Sequence, residues 1–361
     1  MKKQFVLLLC LFVIVAEKAI AQESEEEKEP VSLIQKTKEA FQSEAFLLSG
    51  YGQATYSLNE KPVGGANNSF NIVRALVFAV GKLGPKNQFG YMLMYDFGPN
   101  PMLHELYGEW LPCNALNVRF GQFKIPFTIE NPMSPARVET INFSRSVGAM
   151  SGSVGDFNEF NQKGDPSGVK AGRDAGLQLS GKLFTHKDFS LVEYYAGLFN
   201  GTGLNTRDNN NHKDFLGTVY LQPIKGLRIG GSLYSGQLYR PMNGMPAANH
   251  TRDHWTVGAE YAGKKFYSRA EYIAANDGGL KRDGYYGSAV WKMVPDKWEV
   301  LGKYDFYDAN TNISNNEVRD ITAGINYYFA YLSRIQLNYI YTDDKINGKN
   351  NGVLAQLQLF F

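Results

Sequence analysis

The chain has 361 residues, a formal net charge of +2 and a mean hydropathy of −0.32. So small a charge gives no support to nucleic-acid binding, and no apolar run beyond the first residues is long enough for a bundle of membrane-spanning helices. The 22 Tyr, 23 Phe and 37 Gly against 14 Pro favour a β-protein whose strands alternate apolar and polar side chains.

The amino-terminal residues have the organisation of a cleavable signal peptide. A basic start precedes an apolar run from Phe5 to Ala16, and Ala19-Ile20-Ala21 supplies an A-x-A cleavage site. Twelve apolar residues span only about 18 Å as a helix, well short of the roughly 30 Å hydrocarbon core. The sequence therefore predicts a signal peptide over residues 1–21 and export of the rest of the chain.

Residues 22–44 differ in composition from everything that follows. They contain seven Glu against three Lys and a weakly amphipathic stretch around Ile34 and Phe41. A run of like charges is typically solvated. We therefore expect an acidic leader with a short helix on the periplasmic side.

From Ala45 to the end of the chain, side chains alternate with period two. In the first segment Leu48 and Leu58 fall on one face, whereas Ser49 and Gln53 fall on the other. This pattern predicts strands with one face in an apolar medium and one face in water. Sixteen strands of about ten residues are predicted, the length with which a tilted strand crosses a bilayer. They are residues 45–59, 70–83, 88–97, 103–111, 116–127, 174–184, 189–200, 214–223, 227–239, 254–262, 265–276, 284–293, 298–308, 319–329, 333–343 and 351–361.

Short and long connections alternate between these segments. The short ones are residues 84–87, 111–115, 185–188, 223–226, 263–264 and 294–297. The long ones, rich in Asn, Gly and Asp, are residues 59–69, 201–213, 240–253, 309–318 and 344–350. Short periplasmic turns that alternate with longer external loops are typical of outer-membrane barrels, whereas a soluble sandwich has no reason to alternate its loop lengths. The predicted fold is thus an all-β transmembrane antiparallel barrel over residues 45–361.

One connection, residues 128–173, is far longer than the others and is the third external loop. A connection of this length is normally functional. Because a sixteen-stranded barrel encloses an aqueous channel, we expect this loop to fold into the lumen and narrow it.

The last segment ends in an aromatic residue, Phe361, on the same face as Val353 and Leu357. A closing strand with a terminal Phe is similar to the recognition signal of outer-membrane barrel assembly. We expect Phe361 to serve as that signal, with the barrel-assembly machinery and outer-membrane lipid as partners.

Two stretches resemble the porin O/P family, the phosphate-selective porins and their broader relatives. The first runs from Val118 to Glu130, and its distinctive positions are Gly121, Gln122, Phe123, Lys124, Pro126, Phe127 and Glu130. The second runs from Tyr194 to Gly203 and precedes an Asn- and Asp-rich loop. The resemblance implies a sixteen-stranded barrel in the bacterial outer membrane, usually a homotrimer, that passes small hydrophilic solutes or inorganic anions.

Ion preference is predicted from the charges that strand parity places in the lumen. Eight cationic positions (Arg74, Arg119, Lys182, Arg228, Arg269, Lys292, Lys303, Arg334) face eight acidic ones (Asp96, Glu105, Glu109, Glu193, Glu260, Glu271, Glu299, Asp305). Strict oxyanion selectivity needs a focused cationic cluster instead. We therefore expect a general or weakly anion-preferring pore, with a phosphate-selective pore as the alternative. Solute contact is predicted for Arg119, Lys124, Arg137, Arg145, Lys163, Lys170 and Arg173.

Two function classes other than a pore remain open at this point. An outer-membrane enzyme is disfavoured because no Ser lies in a G-x-S-x-G elbow and the five His are scattered. His250 and His254 are four residues apart, but they lie at a predicted junction between loop and strand, so no metal or cofactor is expected. A surface adhesin or structural barrel would also use long external loops.

Overall fold

The computed structural model describes residues 45–63, 65–151, 172–186, 189–242 and 245–361. The expected signal peptide and acidic leader lie outside the described residues and stay predictions, as do Lys163 and Lys170 of the long loop.

Sixteen strands follow one another within the described residues, as the alternation predicts. They are β1 (Leu47–Val63), β2 (Ala66–Leu83), β3 (Phe89–Asp96), β4 (Met102–Cys113), β5 (Leu116–Lys124), β6 (Arg173–His186), β7 (Phe189–Phe199), β8 (Asp214–Ile224), β9 (Leu227–Met242), β10 (Met245–Ala262), β11 (Phe266–Asp277), β12 (Leu280–Val294), β13 (Trp298–Asp308), β14 (Glu317–Ala330), β15 (Ser333–Asp344) and β16 (Gly348–Phe360). Among the described residues of the connection between β5 and β6 there is one helix, α1 (Arg145–Met150). No helix in the described ranges is long and apolar enough to cross a membrane.

The strands form one closed antiparallel barrel, in which each strand pairs with the next and β16 returns to β1. At the seam, the Gly50 amide donates to the Phe361 carbonyl at 2.9 Å and the Phe361 amide donates back at 3.0 Å. The predicted sixteen-stranded barrel is confirmed.

The two faces of the wall differ as the period-two pattern requires. Outward-facing Phe120 and Leu233 are 72% and 65% exposed, as expected of the apolar outer face of a transmembrane barrel. Inward-facing Gln53, Arg334 and Gln336 are buried and hydrogen-bonded. The polar face therefore encloses the lumen.

Several connections expected to be irregular are instead paired strand. β1 and β2 remain paired out to Val63 and Ala66, and β9 and β10 out to Met242 and Met245. The connection between β15 and β16 shrinks to residues 345–347. Alternation disappears there because both faces of these outer hairpin ends are in water, while the pairing of the strands continues. The expected loops at 59–69, 240–253 and 344–350 were thus wrong in most of their length.

The two ends of the barrel are nevertheless distinct. One end, here called the short-turn end, carries the turns between β2 and β3, β4 and β5, β8 and β9, β10 and β11, β12 and β13, and β14 and β15. The chain enters β1 and leaves β16 at this same end. The opposite end carries the extended hairpins and the described residues 125–151 of the connection after β5.

Candidate pore constriction

The connection after β5 is fixed to the barrel wall by a buried arginine, Arg269 of β11. Its guanidinium lies 3.1 Å from a carboxylate oxygen of Glu130 and 3.0 Å from one of Glu139. The Ile129 amide donates to the Glu271 carboxylate at 3.0 Å. Two separate points of the connection are therefore held by one wall side chain.

The Glu130 carboxylate is completely buried and belongs to the connection rather than to a strand. Burial alone would raise its pKa, but the charges of Arg269 and Lys303 and the hydrogen bonds from Ser144 hold that pKa below its usual range. The carboxylate is thus kept ionised by its partners.

The following residues run along β13 to β16, where inward-facing side chains bind their backbone. The Ala136, Val138 and Glu139 carbonyls accept hydrogen bonds from wall side chains, and the Ile141 amide donates to one. The wall partners are Gln358, Arg334, Gln336, Asn326 and Asn338, at 2.7 to 3.1 Å. Because these bonds satisfy backbone groups, they position the connection whatever side chains it carries.

Arg145, at the start of α1, makes the last of these contacts between the connection and the barrel wall. Its side chain lies 2.6 Å from the Asp320 carboxylate, and its amide donates to Asp305. Val147, Ala149 and Met150 of α1 join an apolar cluster with wall residues such as Phe199, Tyr234 and Tyr307. The described part of the connection therefore fills one side of the barrel with an ordinary hydrophobic core.

Lys124 stabilises the turn by which the chain leaves β5. Its ammonium donates to the carbonyls of Asn131 and Met133 at 2.8 and 2.6 Å and lies 5.1 Å from the Phe143 ring centroid. The Asn131 side chain in turn donates to the Ile125 carbonyl at 2.8 Å. These hydrogen bonds fix the turn where it leaves β5.

A cavity of about 780 Å³ opens between this connection and the wall formed by β4 to β9. Thr128, Pro132 and Met133 line one side, and inward-facing strand residues such as Gln178 and Tyr220 line the other. The cavity extends to the short-turn end, where Lys82 and Lys86 border it. Its position between the connection and the wall makes it the candidate constriction.

The two arginines of this cavity are neutralised where they lie. Arg119 is 2.8 Å from Glu109, and Arg228 is 2.8 Å from Glu260 and 3.7 Å from Glu193. Each guanidinium also stacks over a tyrosine ring, at 4.2 Å for Arg119 over Tyr107 and 4.3 Å for Arg228 over Tyr220. Their geometry is therefore fixed, and little net charge is left for a solute.

Three of the four lysines that line the same cavity differ from the arginines, whereas the fourth, Lys124, is bonded to two carbonyls as described above. Lys82, Lys86 and Lys182 are exposed, and none of them forms an ion pair within the described residues. They give the short-turn side of the cavity a positive potential that water and salt screen.

A second cavity, of about 650 Å³, lies toward the opposite end beside β13 to β16 and β1. It is lined by the cations Lys61, Arg145 and Lys303 and by the carboxylates Asp305, Asp320 and Asp344. Charges of both signs are therefore present where a solute would approach from this end.

The predicted solute-contact residues are brought to different places. Arg119 and Lys124 line the first cavity and Arg145 lines the second. Arg137 is exposed and donates to the Tyr331 hydroxyl at 2.9 Å. Arg173 is only 2% exposed and pairs with Glu105 at 3.1 Å, so its position is that of a structural ion pair.

The conspicuous Gly121–Glu130 stretch builds the exit from β5. Gly121 has φ +135°, and a Cβ there would lie 2.2 Å from the Leu106 carbonyl oxygen. Phe123 and Phe127 are fully buried in the apolar cluster. The Pro126 carbonyl accepts from Thr218 at 2.7 Å. These positions shape the connection, whereas the wall partners Arg269 and Glu271 could be identified from the sequence only as lumen-facing charges.

The histidines do not form a metal centre in the described part of the chain, where no cluster of three or more His, Cys, Asp or Glu could hold an ion. His254 lies inside β10 rather than at a junction, buried and 2.9 Å from Asp277. His104 is buried in β4, 3.8 Å from Asp96. Both are components of packed wall clusters.

Comparison with known proteins agrees with this architecture. Residues 242–361 match the sequence model of the family described as phosphate-selective porin O and P. No curated protein sequence matches the chain. The chain is similar in structure to an anion-selective porin from Comamonas acidovorans, with a TM-score of 0.62, 15% identity, and coverage of 88% of this chain and 99% of that one.

Two further solved structures have the same fold. One is OmpT of Vibrio cholerae in its trimer form, with a TM-score of 0.59, 13% identity, and coverage of 88% and 100% of the two chains. The other is Salmonella typhi OmpF in complex with daunomycin, with a TM-score of 0.63, 11% identity, and coverage of 88% and 97%. Identities this low compare folds only. The Gly121–Glu130 stretch lies outside the family match, so its role stays a prediction.

Proposed function

We propose that this chain is an outer-membrane porin of the porin O/P type, because residues 242–361 match that family's sequence model and the barrel is similar in structure to solved porins. It lies in the bacterial outer membrane and allows passive diffusion of small hydrophilic solutes and ions. The short-turn end is accordingly the periplasmic end, and residues 125–151 belong to an external connection.

The ion preference that fits this barrel best is weak and toward anions. The observation that carries this proposal is the pairing of Arg119 with Glu109 and of Arg228 with Glu260 and Glu193. A paired guanidinium orients a polar solute, but it contributes little net potential to select its sign. The preference then comes from the exposed Lys82, Lys86 and Lys182, whose charge salt screens.

Phosphate selectivity is the second candidate, favoured by the description of the matching family. It would require desolvated cations that point at the solute without counter-charges. Lys124 is the nearest candidate at the constriction, but its ammonium is already bonded to two carbonyls. We therefore rank this function below general diffusion, and we propose that the barrel carries no catalytic site.

We further propose a homotrimer in which β3 to β5 form the contact between subunits. β3 has 8 residues and β5 has 9, whereas β2 has 18. Eight residues tilted by about 40° rise only about 20 Å, less than an apolar band of about 25 Å. A neighbouring barrel would cover this short wall, where outward-facing Leu93, Leu106 and Phe120 are exposed.

The test is conductance of the folded protein in planar bilayers, with the reversal potential measured under a KCl gradient and then with added phosphate. We expect discrete open steps and a small shift toward the chloride potential. A strong anion shift with block by phosphate would favour the selective pore. No steps from a folded barrel would contradict diffusion and favour an adhesin or structural barrel.

A further inference from the structure

The second cavity described above, here called the external cavity, differs from the candidate constriction in its charge. Its cations Lys61, Arg145 and Lys303 are balanced by its carboxylates Asp305, Asp320 and Asp344. Arg145 lies 2.6 Å from the Asp320 carboxylate, and the ammonium groups of Lys303 and Lys61 each donate to a backbone carbonyl at 3.0 Å. The described lining of this cavity therefore has no net formal charge, and it offers a solute no unbonded cation.

Uncharged polar side chains supply the other hydrogen-bonding groups of the external cavity. The Thr342 hydroxyl donates to the Asp320 carboxylate at 2.6 Å, so its lone pairs remain to accept from a solute. The Asn350 carboxamide oxygen accepts from the Lys61 amide at 3.0 Å, so its N–H groups remain to donate. Because Thr342 and Asn350 are direct partners in the β15–β16 pairing, an acceptor and a donor lie side by side on the same face. Four further uncharged polar residues line the same space: Asn59, Asn142, Thr322 and Asn347.

The external cavity has the volume and the partly apolar lining of a small-molecule site. Its volume of about 650 Å³ would hold roughly twenty waters, and it falls within the range of about 300–1,000 Å³ that is usual for such sites. Phe143, Ile340 and Leu354 give it apolar surface. A Cβ on Gly352, which faces the lumen, would lie 2.9 Å from the Asn59 carboxamide oxygen. The glycine at this position therefore keeps this part of the cavity open.

We propose that the external cavity binds neutral polyhydroxylated solutes of one or two sugar rings on their way to the constriction. This assignment rests on the porin function proposed above. Each sugar hydroxyl can both donate and accept, which matches the Thr342–Asn350 pair, and the C–H groups of a sugar ring can pack against the apolar lining. An inorganic anion would instead need a cation without a counter-charge.

Block of the ion current by sucrose tests the binding. In planar bilayers, sucrose is expected to lower the open-channel current of the wild type with saturation, at a half-blocking concentration in about the millimolar range, because only a few hydrogen bonds form. The same concentration is expected in 0.1 M and in 1 M KCl, since salt screens charges but not these bonds. Poly(ethylene glycol) of the same hydrodynamic radius, which lacks neighbouring hydroxyls, is expected to lower the current without saturation.

Two outcomes of this measurement would overturn the proposal. One is an unsaturated decrease that is equal for sucrose and poly(ethylene glycol). The other is a salt-sensitive block by phosphate or by a zwitterionic amino acid with no block by sucrose, which would assign the cavity to ions. Because open steps would still be seen in both cases, these outcomes are distinct from failure of the porin function.

Substitutions within the external cavity test its location. Thr342→Val removes the acceptor and is expected to raise the half-blocking concentration of sucrose about three- to tenfold. Gly352→Leu places a side chain in the cavity and is expected to abolish the saturating block. Thr55→Val is the matched control, because Thr55 also faces the lumen from β1 but does not line this cavity. With heat-modifiable migration showing that each barrel is folded, wild-type block in both cavity variants, or an equal shift in the control, would overturn the assignment.

Discussion

Replacing Arg269 by Met should release the constriction while the barrel stays closed. The guanidinium and Glu130 are 1% and 0% exposed, and Glu139 is 13% exposed, so the substitution leaves two poorly solvated carboxylates without their counter-ion. Breaking a buried pair in this way costs about 3–5 kcal/mol. At 1.4 kcal/mol per tenfold, the population with the connection detached from β11 rises by about a hundred- to a few-thousand-fold.

Single-channel recording measures this directly. We expect the Arg269→Met variant to show larger and noisier open currents than the wild type, and faster proteolysis between residues 125 and 150, with unchanged heat-modifiable migration of the barrel. Arg319→Met is the matched control, because Arg319 is 41% exposed and pairs with Glu317 outside the constriction. Wild-type currents and proteolysis in the Arg269 variant would refute the reasoning that this arginine holds the connection.

Three other outcomes follow from the same contacts. Arg269 holds the pKa of Glu130 below its usual range, so the stabilisation by Glu130 is full above the unfolded-state value of about 4.3 and is lost as pH falls through the folded-state pKa. Current noise should therefore rise on acidification, and rise less in Glu130→Gln; equal pH profiles would argue against Glu130 as the titrating group. Deleting Phe361 removes two backbone hydrogen bonds of the seam and the one that its carbonyl accepts from the Ser49 hydroxyl. It should lower the amount of heat-modifiable barrel in the outer membrane, whereas an unchanged amount would exclude a role in assembly. Gly121→Ala should destabilise the barrel by about 1–3 kcal/mol in urea-dependent unfolding, because its Cβ would overlap the Leu106 carbonyl; an unchanged midpoint would show that β5 can shift there.

The barrel could be predicted from the sequence because the solvent differs on its two faces. In β1 and β16, polar residues such as Gln53 and Gln358 alternate with apolar ones, and the register joins them across the seam at 2.7 Å. The same rule failed for the outer ends of β1, β2, β9 and β10. There both faces of the strands are in water, so the side chains no longer alternate and the pattern does not reveal that the strands are paired.

The constriction was predictable only in part. The length of the 128–173 connection indicates its importance, and parity identifies Arg269 and Arg334 as lumen-facing. Which carboxylate meets which cation depends on the path of the connection. Glu130 and Arg269 are 139 positions apart in the sequence, and no periodic pattern connects them. Arg173 is an example: solute contact stays a prediction for it, and its ion pair with Glu105 could not be predicted from the sequence.

The contacts of the constriction also constrain the order in which this protein can fold. Ile141 bonds to a residue 197 positions later in the chain, and Ala136 to one 222 positions later. The surface that these partners form is complete only when β15 and β16 have joined the barrel. Ordering the connection against such distant partners also costs loop-closure entropy before the stabilising hydrogen bonds form. Docking of the connection is therefore a late kinetic event, and a closed barrel that has not yet reached it would have a wider lumen than the mature one.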